Sequence, residues 1–357
     1  MEILFSHERL GDFLLIEEML FSNRLLIDPL DSRSDHPCRL VNYSLETESE
    51  FRCLLDRNVV SYLIELAKGR KVTTNKDGEC FRLTAALQAF LNASGIMSEP
   101  SMAYHEYMES SGLEKADKEL SLFRSADNLN ANIYLDIAIG KRSSVPDAEL
   151  VPYEAGELVN AEIPPKLRHF ENNIVIVKKA LSLKSKGNTD YQVLLDLMDW
   201  IYENYVFSAP AFHFLSIYFS SKRISQMLKS RSITGIRNAT WDLCLIQQMI
   251  TNVKDSDNTN VRWLLSTFDQ AVKETTDYVF LRYDESVDDY YSRLETLYSE
   301  MWGKKNNYGN NLLNKLVEFN DSVNDPQRNI NRHKGSSEYI LSLRKEVERE
   351  FQACEIV

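Results

Sequence analysis

The chain has 357 residues, of which 43% are hydrophobic, and its formal net charge is −12. This length suffices for two ordinary domains, or for one domain enlarged by an insertion, and the hydrophobic content predicts a sizeable core. With 9 prolines and 12 glycines, a protein of closely spaced strands and turns is disfavoured, so we expect mostly helices. The acidic balance disfavours a protein that coats nucleic acid through a generally basic surface, but it is compatible with an acidic metal site.

The five cysteines are an odd number, are scattered along the chain and form no Cys-x-x-Cys pair. This pattern excludes a disulfide framework and a close-spaced zinc knuckle. No run approaches the roughly 20 apolar residues that span a bilayer, and Met1–Phe5 lacks the basic flank of a secretory signal. We therefore expect a cytoplasmic protein that does not enter the membrane.

The first α/β block follows an N-terminal extension, residues 1–50. Residues 51–112 alternate between strand and helix patterns, which is typical of a small parallel sheet flanked by helices. The apolar run Phe51–Leu55 ends abruptly at Asp56, as a buried parallel strand does. Asn58 is a residue type that can cap the helix after it.

The pattern changes again further along. Residues 113–234 read as a mostly helical insertion, and residues 276–357 as a helical C-terminal extension. Between them, residues 235–275 return to an α/β pattern: a helix Ala239–Val253, a polar loop Lys254–Asn260 and a strand at residues 263–267. This second strand also ends near a carboxylate, Asp269.

Ligands of open parallel sheets bind at the carboxyl ends of the strands, which is where Asp56 and Asp269 are expected. Glu106 and Asp242 lie near the starts of helices that re-enter the same edge. Four converging carboxylates would repel one another unless a cation lay between them, and oxygen ligands suit magnesium or manganese. Asn58 and Thr267 are then candidates for orienting the ligating carboxylates.

These segments resemble the motifs of the PIN-domain nucleases. Residues 54–63, Leu-Leu-Asp-Arg-Asn-Val-Val-Ser-Tyr-Leu, resemble the first motif, an apolar strand that ends in an aspartate with an asparagine two residues later. Residues 100–106 resemble the second motif, residues 238–243 the third and residues 264–269 the last. Arg57 departs from the family, which commonly has a small polar residue there. The resemblance covers two blocks, about 51–110 and 235–275.

The resemblance implies a PIN-like metal-dependent endonuclease, most often acting on RNA, with Mg²⁺ or Mn²⁺ held by Asp56, Glu106, Asp242 and Asp269. For each acid, a structural role without metal binding also stays open. Asp56 can cap a helix, and Glu106 can be a solvated helix acid, with Glu99 and Glu109 as competing ligands. Asp242 can form a cap or a salt bridge, and Asp269 can be a turn residue.

Residues 220–241 contain five basic residues and no acid. They are candidates for holding substrate phosphates beside the metal site, although pairing with acids elsewhere explains them equally well. The five are Lys222, Arg223, Lys229, Arg231 and Arg237. The six histidines show no ligand spacing, so a zinc site is not expected, and His213 reads as a core histidine.

Two further functions stay open. In the first alternative, the chain is a non-catalytic protein-interaction module with a degenerate PIN-like fold. In the second, it is a toxin- or defence-type nuclease that a protein partner restrains. The helical insertion and the C-terminal helices offer the surface that such a partner or inhibitor would use.

Overall fold

The structure is a computed structural model and describes residues 7–29, 49–73, 75–146, 148, 168–224, 227–228, 232–282, 285–303, 306–322, 325–326, 328 and 336–354. These residues are mostly helical and contain a small mixed sheet. The strands are β1 Leu26–Ile27, β2 Glu50–Leu55, β3 Met97–Glu99 and β4 Val261–Ser266. The helices are α1 Leu10–Ser22, α2 Arg57–Ala67, α3 Lys76–Ser94, α4 Ser101–Ser111, α5 Leu113–Asp127, α6 Ala131–Ala138, α7 Arg168–Ser185, α8 Asp190–Asn204, α9 Ala209–Phe219, α10 Ile233–Thr259, α11 Gln270–Val279, α12 Val287–Trp302, α13 Tyr308–Ser322 and α14 Ser337–Ala353.

The chain divides into two compact units, and the division falls inside α10. The first unit is Met1–Ala161 with Met249–Asp269, and the second is Glu162–Gln248 with Gln270–Val357. Residues 113–161, which the sequence pattern assigned to the insertion, thus belong to the first unit, because α5 packs on α2 and α6 packs on α3. The N-terminal extension contributes β1 to the sheet and packs α1 on α3.

The described strands form a sheet in the order β1-β4-β2-β3. β2 is parallel to both β3 and β4, whereas β1 is antiparallel to β4. The prediction of a wholly parallel sheet is therefore wrong at one edge. An antiparallel edge strand satisfies the outer hydrogen-bonding groups of β4 without the helical crossover that parallel strands require.

The core of the first unit lies on both faces of the sheet, as the unbroken apolar strands predicted. In β2, Cys53, Leu54 and Leu55 are fully buried. α2 turns an apolar face toward the core, with Val60, Leu63 and Ile64 buried, and α3 ends where Gly95 adopts a φ of +67°. That left-handed conformation favours glycine, because it lacks a Cβ.

α10 is longer than predicted. It extends through Thr259, so the predicted polar loop Lys254–Asn260 is helical over most of its length. Residues 254–259 contain no glycine or proline to stop the helix. The helix ends only where Asn260 adopts a φ of +57°, a conformation that asparagine tolerates better than most residues.

In the second unit, α7 and α14 pack along one another with ion pairs at their interface. The Glu171 carboxylate accepts a hydrogen bond from Arg344 at 2.6 Å. Lys179 pairs with Glu350 at 2.7 Å, and Lys178 pairs with Glu348. Because Glu171 and both lysines are buried, loss of a partner would leave a charge poorly solvated.

The same unit has a buried polar network on α9, where the sequence predicted a core histidine. Nδ1 of His213 lies 2.9 Å from the Tyr298 hydroxyl, which donates to Ser216 at 3.4 Å. Burial lowers the pKa of His213 from 6.5 to about 3. The imidazole is therefore neutral in the folded protein at physiological pH.

In the described segments, every helix is too short or too polar to cross a lipid bilayer.

Neutral burial of His213 should make the folded protein acid-sensitive. As pH falls below 6.5, the unfolded chain binds a proton that folded His213 takes up only near pH 3, so stability is present above this window and is lost through it. Between pH 6.5 and 4.5 the loss should reach about 2–3 kcal/mol, since one pKa unit corresponds to 1.36 kcal/mol. Denaturant titrations of wild type and His213→Phe at pH 7.5 and 4.5 measure it. An identical pH dependence in the two proteins would contradict this account.

Candidate active site

The carboxyl ends of β3, β2 and β4 lie side by side and bring several polar residues to one edge of the sheet. Leu54 is in register with Glu99, the last residue of β3, and Leu55 is in register with Ser266, the last residue of β4. Asp56 directly follows β2. The pairing continues one residue further, because the Asp56 amide donates to the Ser266 carbonyl at 2.9 Å.

Asp56 is 5% exposed, and two neighbouring side chains fix its carboxylate. The Thr267 hydroxyl donates to Oδ2 of Asp56 at 2.7 Å, and the Asn58 amide donates to the same oxygen at 3.4 Å. Asp56 is the N-cap of α2, but its carboxylate makes no capping hydrogen bond to the second or third amide of the helix; the one backbone donor to it is the Arg57 amide. α2 begins at Arg57 with Asp56 as its N-cap, which corrects the prediction that Asn58 caps it.

The environment of Asp56 disfavours its charged form. Burial is the largest cause that raises the pKa of its carboxyl group, and the nearby charge of Asp269 raises it further. Hydrogen bonds from Thr267, the Arg57 amide and Asn58 oppose this shift without cancelling it. A buried carboxylate beside a second one is an unfavourable arrangement that a bound cation would relieve.

Thr267 links the two aspartates. Its hydroxyl donates to Asp56, and the Asp269 amide donates to the Thr267 hydroxyl oxygen at 2.9 Å. The threonine thus holds the chain after β4 against the end of β2. The sequence had placed Thr267 beside Asp269, and the structure shows that the carboxylate it orients is that of Asp56.

Three acids at the end of β3 and on α4 differ in their surroundings. Glu99 accepts a hydrogen bond from the Ser101 amide at 2.9 Å, so it satisfies one backbone donor at the start of α4. Glu106 lies further along α4 and is half-buried. Glu109 is exposed on the last turns of the same helix.

Asp242 is half-buried and lies on the portion of α10 that belongs to the second unit. Its neighbours Trp241 and Leu243 are buried there, and Trp241 packs against Phe170 with ring centroids 4.9 Å apart. Asp242 is thus one of the few polar positions on a largely apolar stretch of helix.

Within the described residues, no group of three or more His, Cys, Asp or Glu side chains is close enough to hold a metal ion. What the structure brings together is the pair Asp56 and Asp269, with Thr267 and Asn58 as supports. Such a pair suits Mg²⁺, which commonly binds through one or two carboxylates and keeps water or substrate phosphate oxygens as its other ligands.

Arg57 has a structural role that the sequence did not reveal. Its guanidinium pairs with Glu119 on α5 at 2.8 Å and lies 4.5 Å from the ring centroid of Tyr107 on α4. Arg57 therefore joins the start of α2 to two other helices. Only the separation of 62 residues between Arg57 and Glu119 hid this contact, since sequence patterns report neighbours along the chain.

The basic residues of segment 220–241 belong to the second unit. Lys222 and Arg223 are exposed; Lys222 lies 3.5 Å from Glu300 and the Arg223 guanidinium lies 4.3 Å from the Tyr218 ring centroid. Arg237 is half-buried on α10. Lys229 and Arg231 lie outside the described residues.

Neutralising Asp56 should stabilise the metal-free protein. Because folding raises the pKa of Asp56, its contribution to stability is present below its ordinary pKa of 3.8 and is lost as pH rises through the folded value. Asp56→Asn keeps an oxygen for Thr267 and removes the repulsion with Asp269, so at pH 7 with chelator it should gain ~1 kcal/mol. Thr267→Val should lose stability, because it removes the main hydrogen bond to the buried charge. Thermal melts at pH 7 decide this, and an unchanged or lower Tm for Asp56→Asn would refute the account.

Comparison of the chain with protein-family models, with curated proteins and with solved structures finds no match.

Proposed function

We propose that this chain is a metal-dependent phosphodiesterase, a PIN-like endoribonuclease that uses Mg²⁺ or Mn²⁺. The observation that carries the proposal is the buried Asp56 carboxylate beside Asp269 at the carboxyl ends of two parallel strands. Burying a carboxylate next to a second one is costly for a protein that only needs to fold. A divalent cation bound by both carboxylates would offset this unfavourable free energy.

Each residue of the pair then has a defined task. Asp56 and Asp269 would hold the ion, while Thr267 and Asn58 keep Oδ2 of Asp56 in one position. A cation held there would supply positive charge for a phosphate oxygen and would make a bound water more acidic. Burial of Asp56 at the end of β2 keeps bulk water from screening its carboxylate, so its attraction for a cation would be stronger.

Glu106 and Asp242 are further proposed ligands on the sequence resemblance alone, because they occupy the second and third motif positions in the order of the PIN-domain nucleases. Both side chains are half-buried. The basic residues proposed to hold the substrate backbone are Lys222, Arg223, Lys229, Arg231 and Arg237. RNA is the proposed substrate, on the same resemblance.

Nuclease activity should depend on the metal and on Asp56. Full-length protein should cut single-stranded RNA with Mn²⁺ or Mg²⁺ and stop with chelator. Asp56→Asn and Asp269→Asn should reduce the rate at least 100-fold, and Asn58→Ala and Thr267→Val by about 10–100-fold, the range for residues that support a metal ligand. Asp255→Asn, an exposed aspartate in the same unit, makes the same charge change and should leave the rate unaltered. Gel assays of labelled RNA measure these rates, with Glu106→Gln and Asp242→Asn testing the remaining ligands.

Metal binding has an independent readout. Specific binding to the folded state stabilises it by mass action, so Mn²⁺ should raise the Tm of wild type and not that of Asp56→Asn. If neither RNA cleavage nor a metal-dependent Tm shift occurs, the nuclease proposal fails. A Tm shift produced by a protein partner instead would favour the non-catalytic interaction module.

A further inference from the structure

A second basic feature lies at the end of α2 that is distant from Asp56. α2 ends at Ala67, and Gly69 turns the chain with a φ of +80°. Lys68, Arg70 and Lys71 are exposed on this turn. With Glu65, Gly69 and Thr73 they line an open groove of about 440 Å³, called the α2 groove below.

The cations of this groove differ from those of the neighbouring segment. The Val72 amide donates to the Ser143 carbonyl at 2.7 Å, which joins the turn to the basic residues just before Ser143. There Lys141 pairs with Asp12 at 2.8 Å and Arg142 pairs with Asp136 at 3.3 Å. The neighbouring segment therefore has its positive charges neutralised by the protein's own carboxylates.

In the α2 groove, only Lys68 has such a partner in the described structure, Glu65 at 3.1 Å. That pair is nearly half exposed on both sides, so it is weak in water. Arg70 and Lys71 have no carboxylate within ion-pair distance among the described residues, and the Arg70 guanidinium lies 6.0 Å from the Phe81 ring centroid. Among the described residues, the groove thus presents two cations without a carboxylate partner, in a chain of net charge −12.

We propose that the α2 groove binds the phosphate backbone of single-stranded RNA. Adjacent cations on an open groove suit a chain of phosphates, and backbone contacts of this kind position a nucleic acid without reading its sequence. This inference rests on the proposed nuclease function and deepens it. α2 has 11 residues, and at 1.5 Å per residue it places the groove about 16 Å along the helix from Asp56. The groove would hold the strand several nucleotides from the cleaved bond.

If Arg70 and Lys71 only stabilise α2, their replacement should have a different effect. Cations near a helix C-terminus also stabilise the negative end of the helix dipole. If that were the whole role of Arg70 and Lys71, their replacement would lower the Tm and leave RNA binding unchanged.

The test measures binding separately from cleavage. Full-length Asp56→Asn, without divalent metal, is titrated into fluorescein-labelled single-stranded RNA at several NaCl concentrations, and fluorescence anisotropy gives Kd. Arg70→Gln/Lys71→Gln is compared with Lys345→Gln/Arg349→Gln, which removes one lysine and one arginine exposed on α14. The α2 groove variant should bind about tenfold more weakly, and the slope of log K against log salt should fall by roughly 1.4, from 0.7 per lost contact. The α14 variant should bind as the parent does.

Other outcomes are equally decisive. Equal Kd values for the two double variants overturn the proposal. The proposal is also overturned if the α2 groove variant loses binding to phosphatidylserine vesicles but binds RNA as the parent does. If the α2 groove variant has a low Tm, Arg70→Lys/Lys71→Arg keeps the charges and should bind RNA as the parent does; weaker binding there overturns the proposal. If RNA binding depends on the groove but wild type cleaves no RNA, the nuclease proposal is rejected and the RNA-binding proposal is kept. If wild type cleaves RNA and the groove variant binds RNA as the parent does, the nuclease proposal is kept and the RNA-binding proposal is rejected.

Discussion

The first unit depends on the parallel pairing of β2 with β4. This pairing joins residues 50–55 to residues 261–266 in continuous register, and it is the only described strand contact that brings the two α/β blocks together. Because side chains in parallel strands alternate in a fixed register, a slip of one residue would move Thr267 away from Asp56 and reverse the buried faces of β4. The candidate site is therefore a direct consequence of strand register.

The site places an unfavourable charge directly after the most buried part of β2. Cys53, Leu54 and Leu55 are fully buried, and the next residue is a carboxylate with a raised pKa. The Thr267 and Asn58 hydrogen bonds make the charged form tolerable without making it favourable. Residues that break local folding preferences in this way are expected at functional positions, which is the physical basis for assigning chemistry to this edge.

The two basic surfaces differ in their local contacts. Lys222 and Arg223 contact Glu300 and Tyr218 within the second unit. The α2 groove belongs to the same unit as Asp56 and follows the helix that begins there. Arg57, at the start of that helix, is held by Glu119 and Tyr107, so it fixes α2 in place.

The sequence by itself determined the local elements. The apolar run before Asp56 predicted β2 and the helix after it, and the helical periodicity predicted helices in residues 276–357, because these signals depend on neighbours within one or two turns. It also singled out Asp56, because a carboxylate directly after a buried strand lies at the sheet edge where ligands bind, although the alternative role as a helix cap stayed open. The limits of α10 and the capping role given to Asn58 were wrong, because polar residues in a helix and near its start carry weak boundary signals.

Only the tertiary structure decided which distant residues meet. The antiparallel edge strand β1, the inclusion of α5 and α6 in the first unit, the Thr267–Asp56 hydrogen bond and the Arg57–Glu119 pair all join segments far apart in the chain. Such contacts form through the burial of several elements at once, and no local pattern encodes their partners. The sequence thus identified the aspartate at the strand end, and the fold decided that Thr267 and Asp269 are its neighbours.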